Sequence, residues 1–210
     1  MQKIALYTAL ATLFLFSAVS LLASYITPYD PFAQDLLSSL TGPDMNHWMG
    51  RDLLGRDILS RVILGSRVSL VVGFSVTAIS LLTGVLVGGV AGAFGGKTDE
   101  AIMRIIDILL AFPGLLMAIA VMAVLGPGVT NVIIALCISG WTGFARITRA
   151  QILSLREREY VLAARALGQN NFRIIYSHFI PNSMAPLIIE ATFGMAAVIA
   201  AEAGLSFLGL

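Results

Sequence analysis

Few residues of this chain have the types and spacing to do chemistry, and they fall into separate groups. The largest is a polar island at residues 156–181, set between apolar runs and carrying Arg156, Arg158, Arg165 and Arg173. It is too short to be a domain, and its chemistry is that of a basic element docking on a soluble partner. A second group is Asp52/Arg56 and Asp57/Arg61. Both are i,i+4 pairs with the acid first, the favourable order on a helix. A third is the carboxylates Asp107, Glu190 and Glu202, which sit in apolar runs. An ionisable side chain in a span costs about 2.5–3.5 kcal/mol on insertion scales, so Glu190 and Glu202 are expected to face protein or a water-filled path.

The remaining polar residues exclude more than they propose. His47 and His178 fall in loops on opposite sides of the membrane in the topology below, each expected as polar surface rather than a metal ligand. Gly95-Gly96-Lys97-Thr98 ends like a phosphate-binding loop, but the full pattern needs a glycine where Ala91 stands and a strand where an apolar helix precedes. Thr98 or Asp99 is expected to cap a helix instead. The single cysteine, Cys137, lies inside an apolar run and is expected to pack as a small hydrophobe. No catalytic residue, metal site or cofactor is expected in this chain.

These groups must be positioned by membrane helices. The 210 residues are 58% hydrophobic and 12% charged, against about 25% charge in a soluble domain. The surplus apolar surface makes lipid the expected surroundings and an all-α polytopic bundle the expected fold. The net charge of +1 gives no field for nucleic acid. Apolar runs place spans at about residues 4–26, 68–94, 101–125, 129–145 and 182–204. The first reads as an uncleaved span rather than a signal peptide. Gly84, Gly88 and Gly92 form overlapping small-x-x-x-small pairs that let another helix approach closely. Pro113 is expected to kink the third span, with Arg104 and Asp107 paired near its start. Residues 1–66 are expected to hold the first span and an outer loop with a short amphipathic helix over Asp52–Arg61. Residues 67–210 are expected to form the core, with a cytoplasmic loop at 154–181.

Alternate loops divide the 13 basic residues into nine and four. The nine are Lys3, Lys97, Arg104, Arg146, Arg149, Arg156, Arg158, Arg165 and Arg173. The positive-inside rule puts them, the N-terminus and the island in the cytoplasm, and residues 27–66 outside. Within the island, Ser154 and Glu157 fit a capping box. Tyr160, Val161, Ala164 and Leu167 make an apolar stripe, and Gly168 fits a helix C-cap. Asn170 or Asn171 is expected to start a second short helix ending at Pro181, with Asn182 and Ser183 capping the fifth span. The stripe can pack on the chain's own spans or sit in another protein's groove.

The island resembles the cytoplasmic signature of ATP-binding-cassette importer permeases: Glu-Ala-Ala, three residues, Gly, nine residues, Ile-x-Leu-Pro. Ala163, Ala164, Gly168 and Pro181 match, while Leu162 replaces the Glu and His178 the Ile. Further stretches resemble the dipeptide, oligopeptide and nickel permeases, second-permease type. They are His47-Trp-Met-Gly-Arg-Asp-Leu-Leu-Gly-Arg-Asp-Ile-Leu-Ser-Arg61, Asp107-Ile-Leu-Leu-Ala-Phe-Pro113 and Ala203-Gly-Leu-Ser-Phe-Leu-Gly209. The resemblance implies a type I importer fold and a subunit that forms half of a path for peptide, with nickel as second choice. Its implied partners are a second permease subunit, two ATP-binding subunits, an extracytoplasmic substrate-binding protein and lipid, in a bacterial or archaeal plasma membrane. Such subunits have six spans, so the chain reads as truncated before the last.

It further implies ATPase coupling through Glu159, Ala163, Ala164, Gly168 and Pro181. An outer gate or binding-protein dock would hold Asp52, Arg56, Asp57 and Arg61, and a translocation path Glu190 and Glu202. The alternatives are a secondary transporter without an ATPase and an intramembrane hydrolase. The hydrolase would need converging Ser-His or carboxylate groups, and no recognised motif supplies them.

Overall fold

Apolar runs longer than a bilayer is thick fold as helices, because in lipid every backbone N–H and C=O must be satisfied within the segment. The computed structural model describes residues 2–209 and is all-α, with no strand among the described residues. The helices are α1 (Gln2–Ile26), α2 (Ile58–Phe94), α3 (Gly96–Leu110), α4 (Gly114–Leu125), α5 (Val129–Leu155), α6 (Glu159–Ala166), α7 (Asn171–Ile174) and α8 (Ile180–Phe207). α1, α2, α5 and the run from Phe172 to Phe207 are long and apolar enough to cross a membrane. α3 and α4 together make a broken span or a re-entrant pair, bent by 80°. Two compact units are present; the first ends at Val71 and the second begins at Val72.

In the first unit the expected amphipathic helix over Asp52–Arg61 does not form. Residues 51–57 make a turn closed by an antiparallel bridge between Arg51 and Asp57, with Gly55 at φ +71°, and α2 begins only at Ile58. The cause lies in the aspartates. The Asp52 carboxylate accepts the backbone amides of Leu54 and Arg56 at 2.9 and 3.0 Å, a bond that competes with helix. Asp57 accepts the Ser60 amide at 2.8 Å, three residues on, as an N-cap does. α2 therefore starts ten residues earlier than its apolar run.

In the second unit the glycine stripe behaves as expected. A Cβ on Gly84, Gly88 or Gly92 would run into Phe144, Ala145 or Ile152 of α5, so the two backbones are in direct contact. α5 also packs on α4 and α8. α5 extends to Leu155, ten residues past the expected end, because its arginines find partners instead of ending the helix. Arg146 pairs with Asp107, and Arg149 makes a bidentate pair with Asp99. Arg104 therefore does not pair with Asp107 but lies 3.8 Å from Glu100. α3 is capped by Gly95 rather than by Thr98 or Asp99. Pro113 breaks the third span outright instead of kinking it, since Pro113 itself is non-helical and caps α4.

Candidate functional site

The island is built on α5. After Leu155 a short turn leads into α6, whose N-cap is Arg158 without a side-chain bond, so the expected Ser154/Glu157 capping box is absent. Gly168 ends α6 as expected. It lies at φ +78°, its amide donates to Arg165 O at 2.9 Å, and the Gln169 amide donates to Ala164 O at 3.1 Å. That pair of bonds is the Schellman closure, which needs a left-handed residue at this point. Asn170 accepts the Arg173 amide at 2.8 Å and caps the next segment, which starts at Asn171 as expected.

That segment does not end at Pro181. It runs through a π-helical turn, Ile175–Phe179, straight into α8, with Pro181 in the first turn of α8. The wider turn accommodates a residue with no N–H to give. Asn182 and Ser183 are then interior residues, and their side chains donate back to His178 O and Phe179 O at 2.6 and 2.8 Å.

The apolar stripe of α6 divides between the two alternatives. Val161 and Ala164 are buried with Ile152, Ile174 and Phe179 in one cluster. Truncating the fully buried Phe179 to alanine would cost about 3–5 kcal/mol, and through this cluster α6 touches α5 at Ile152. The other face of α6 carries Glu159, Leu162, Ala163, Arg165 and Leu167, all exposed, with Leu167 at 83%. Of the expected coupling residues, Glu159, Ala163, Gly168 and Pro181 are thus exposed and Ala164 anchors them from below. Phe172 and Tyr176 extend the exposed apolar surface along the next segment. The arrangement is a short knob whose exposed face is mostly apolar, with Glu159 and Arg165 as its two charges.

At the other expected site, Asp52 binds Arg56 at 2.7 Å, and Arg61 reaches Asp52 at 3.6 Å rather than pairing with Asp57. Asp57 is taken by His47, whose Nδ1 lies 2.9 Å from Oδ1. His47 Nε2 lies 2.7 Å from Arg51 Nη2, and Arg51 Nη1 donates to Asp35 at 2.7 Å. A guanidinium only donates, so Nε2 accepts and Nδ1 carries the proton given to Asp57. His47 is therefore buried in a network, not polar surface. Its ring lies 4.5 Å from that of Tyr29, next to a cavity of about 300 Å³ lined by Tyr29, Met45, Trp48 and Asp57.

Sequence reasoning missed His47, Arg51 and Asp35. The available signals were the density of Asp, Arg and Gly between residues 50 and 57 and the resembling stretch that begins at His47. Burial raises the Asp52 and Asp57 carboxyls, but their hydrogen bonds outweigh it and hold both below the usual range. Asp35 is lowered by the Ser38 hydroxyl and Arg51, and Asp44 by the amides of His47 and Asn46.

Glu190 is half-buried on α8 and about 15 Å along the helix from Ile180. Its Oε1 lies against Gly143 of α5, close enough that a Cβ there would sit 3.1 Å away. Among the described residues it makes no hydrogen bond or ion pair. Glu202 is 7% exposed and accepts a bond from Ser206 at 3.0 Å. The two carboxylates are twelve residues apart on one helix and form no common site.

Residues 84–210 match the model of a family described as binding-protein-dependent transport system inner membrane component. The chain is 42% identical over 209 residues to the dipeptide transport system permease protein of Bacillus subtilis, covering 100% of this chain and 65% of that protein. It is 41% identical over 192 residues to the oligopeptide transport system permease protein of Bacillus subtilis, covering 91% and 63%. It is 41% identical over 202 residues to the nickel transport system permease protein of Escherichia coli, covering 96% and 73%. The chain thus spans a little under two thirds of the length of the two Bacillus relatives.

Proposed function

Because the chain belongs to the family of binding-protein-dependent transport system inner membrane components, we propose that it is a permease subunit of an ATP-driven importer. It forms half of a translocation path and works with a second permease subunit, two ATP-binding subunits and an extracytoplasmic substrate-binding protein. Peptide is the first choice of substrate, from the relatives' names, and nickel the second. The membrane is a bacterial or archaeal plasma membrane, with the N-terminus and the island in the cytoplasm. Glu190 and Glu202 belong to the path or its walls, and the network around Asp52, Arg56, Asp57 and Arg61 to the outer gate or binding-protein dock.

The observation that carries this reading is the knob at residues 159–168. Val161 and Ala164 anchor it in the cluster with Ile152 of α5, yet it turns the apolar residues Leu162 and Leu167 to solvent beside Glu159 and Arg165. A surface of that chemistry fits an apolar socket on a soluble partner. The energy source then lies outside this chain.

The test is uptake of a radiolabelled dipeptide into proteoliposomes holding the assembled complex and binding protein. Uptake that needs ATP on the island's side supports the reading. Uptake driven by an ion gradient without ATP would replace it with the secondary-transporter reading.

A further inference from the structure

α3 is a rod with a break at each end and ionic ties to one neighbour. At one end, the turn at Gly95 and Gly96, both at positive φ, separates it from α2. At the other, the 80° bend at Pro113 separates it from α4. Among the described residues, its ion pairs beyond its own helix both go to α5. Asp99 takes Arg149 in a two-pronged pair whose second bond is 2.6 Å, with both side chains largely shielded, and Asp107 takes Arg146. Two parallel N–H···O bonds fix orientation as well as distance. One turn beyond Arg149, Ile152 enters the cluster that holds α6 and Phe179. A Cβ on Gly92 would meet both Ile152 and Arg149 O, so α5 is packed tightly at this level.

We infer that the Asp99–Arg149 pair, backed by Asp107–Arg146, is the clamp through which α5 moves α3 and so re-aims the broken span at Pro113. Asp99 and Arg149 are positioning residues; neither needs to touch what is transported. A packed core resists continuous deformation, so a tilt imposed on α6 passes to α5 through the Ile152 cluster. From α5 it reaches α3 through the ion pairs, while the breaks at Gly95 and Pro113 let α3 swing without unfolding its neighbours. The inference rests on the importer reading above for the origin of the tilt.

The test uses the full chain in its complex, with Cys137→Ala as background and spin labels at Lys97→Cys on α3 and Val124→Cys on α4. Both positions are exposed. Adding ATP and vanadate should change the label-to-label distance, and Asp99→Asn should abolish the change. Labelled dipeptide moved per ATP hydrolysed should fall roughly tenfold in Asp99→Asn, within the usual range of coupling between sites. Arg149→Lys keeps the charge but loses the fork, and should fall between the two. The exchange Asp99→Arg with Arg149→Asp should restore both readouts, and the ATP-dependent distance change is the one that a merely structural contact would not move.

The clamp is refuted if the wild-type distance does not respond, or if Asp99→Asn or the gentler Arg149→Lys assembles and couples like wild type. If wild type hydrolyses ATP but moves no dipeptide, the substrate assignment falls, while the distance measurement still decides the clamp.

Discussion

Gly168 allows a discriminating perturbation because its surroundings are empty. A Cβ built there meets nothing within 4 Å, so substitutions act only through the backbone at φ +78°. An L-residue held in that left-handed conformation costs roughly 1–2 kcal/mol, most for β-branched side chains and least for Asn. The Schellman bonds to Ala164 O and Arg165 O need that conformation, and Ala164 is one of the two α6 residues in the buried cluster. A penalty of this size lowers the population of the closed knob by about 5–30-fold. We expect Gly168→Asn to resemble wild type, Gly168→Ala to be weaker and Gly168→Val to be weakest. The readouts are ATP hydrolysis and ATP-driven uptake in the purified complex, normalised to the amount assembled. If Val matches wild type, or Asn is as damaging as Val, the backbone argument is wrong. In the latter case residue 168 acts through direct contact with a partner.

The glycine stripe predicts a contrast between neighbours. Gly88→Ala should lose about 1–3 kcal/mol or more, because its Cβ meets the Ala145 backbone. Gly89→Ala, whose nearest neighbour is 4.0 Å away, should be close to silent in thermal unfolding in detergent. Asp35, Asp44, Asp52 and Asp57 are all lowered in the folded chain, so their contribution is present above the unfolded value of about 3.9. It is lost as pH falls through the lower folded values. Fluorescence of Trp48 in a Trp141→Phe background should therefore show a transition below about pH 4, and a signal that stays flat through that range would contradict the aspartate contribution. Glu190→Gln should lower uptake without reducing the assembled complex; full transport by the variant would remove residue 190 from the path.

What was legible in the sequence was what depends on runs and short spacings. Lipid demands long apolar segments, so the existence of long apolar helices, the Gly84/Gly88/Gly92 face and the Gly168 cap were visible, while the ends of the helices were not. Residues 52–61 were misread because an i,i+4 Asp/Arg pair looks the same in a helix and in a turn. The aspartate's alternative of binding nearby amides decided between them. The early end assigned to the fourth span assumed that Arg146 and Arg149 must leave the helix. Their partners are 39 and 50 residues away, a pairing that no local spacing encodes. His47 was dismissed as a loop histidine for the same reason, since Arg51, Asp57 and Tyr29 converge on it only in the fold. Pro181 looked like a terminator because a π-helical turn that absorbs it leaves no mark in the sequence.

We propose that the knob at 159–168 docks on an ATP-binding subunit, whereas residue 37, in the segment expected outside, does not meet one. Cysteine crosslinking in intact membranes tests it most directly. Leu167→Cys and Leu37→Cys, each in a Cys137→Ala background, place single thiols on fully or largely exposed positions. Residue 167 is predicted to crosslink to an ATP-binding subunit, in a manner sensitive to ATP, and residue 37 is predicted not to. A crosslink to that subunit from residue 37 but not from residue 167, or from neither in a complex that hydrolyses ATP, would contradict the account.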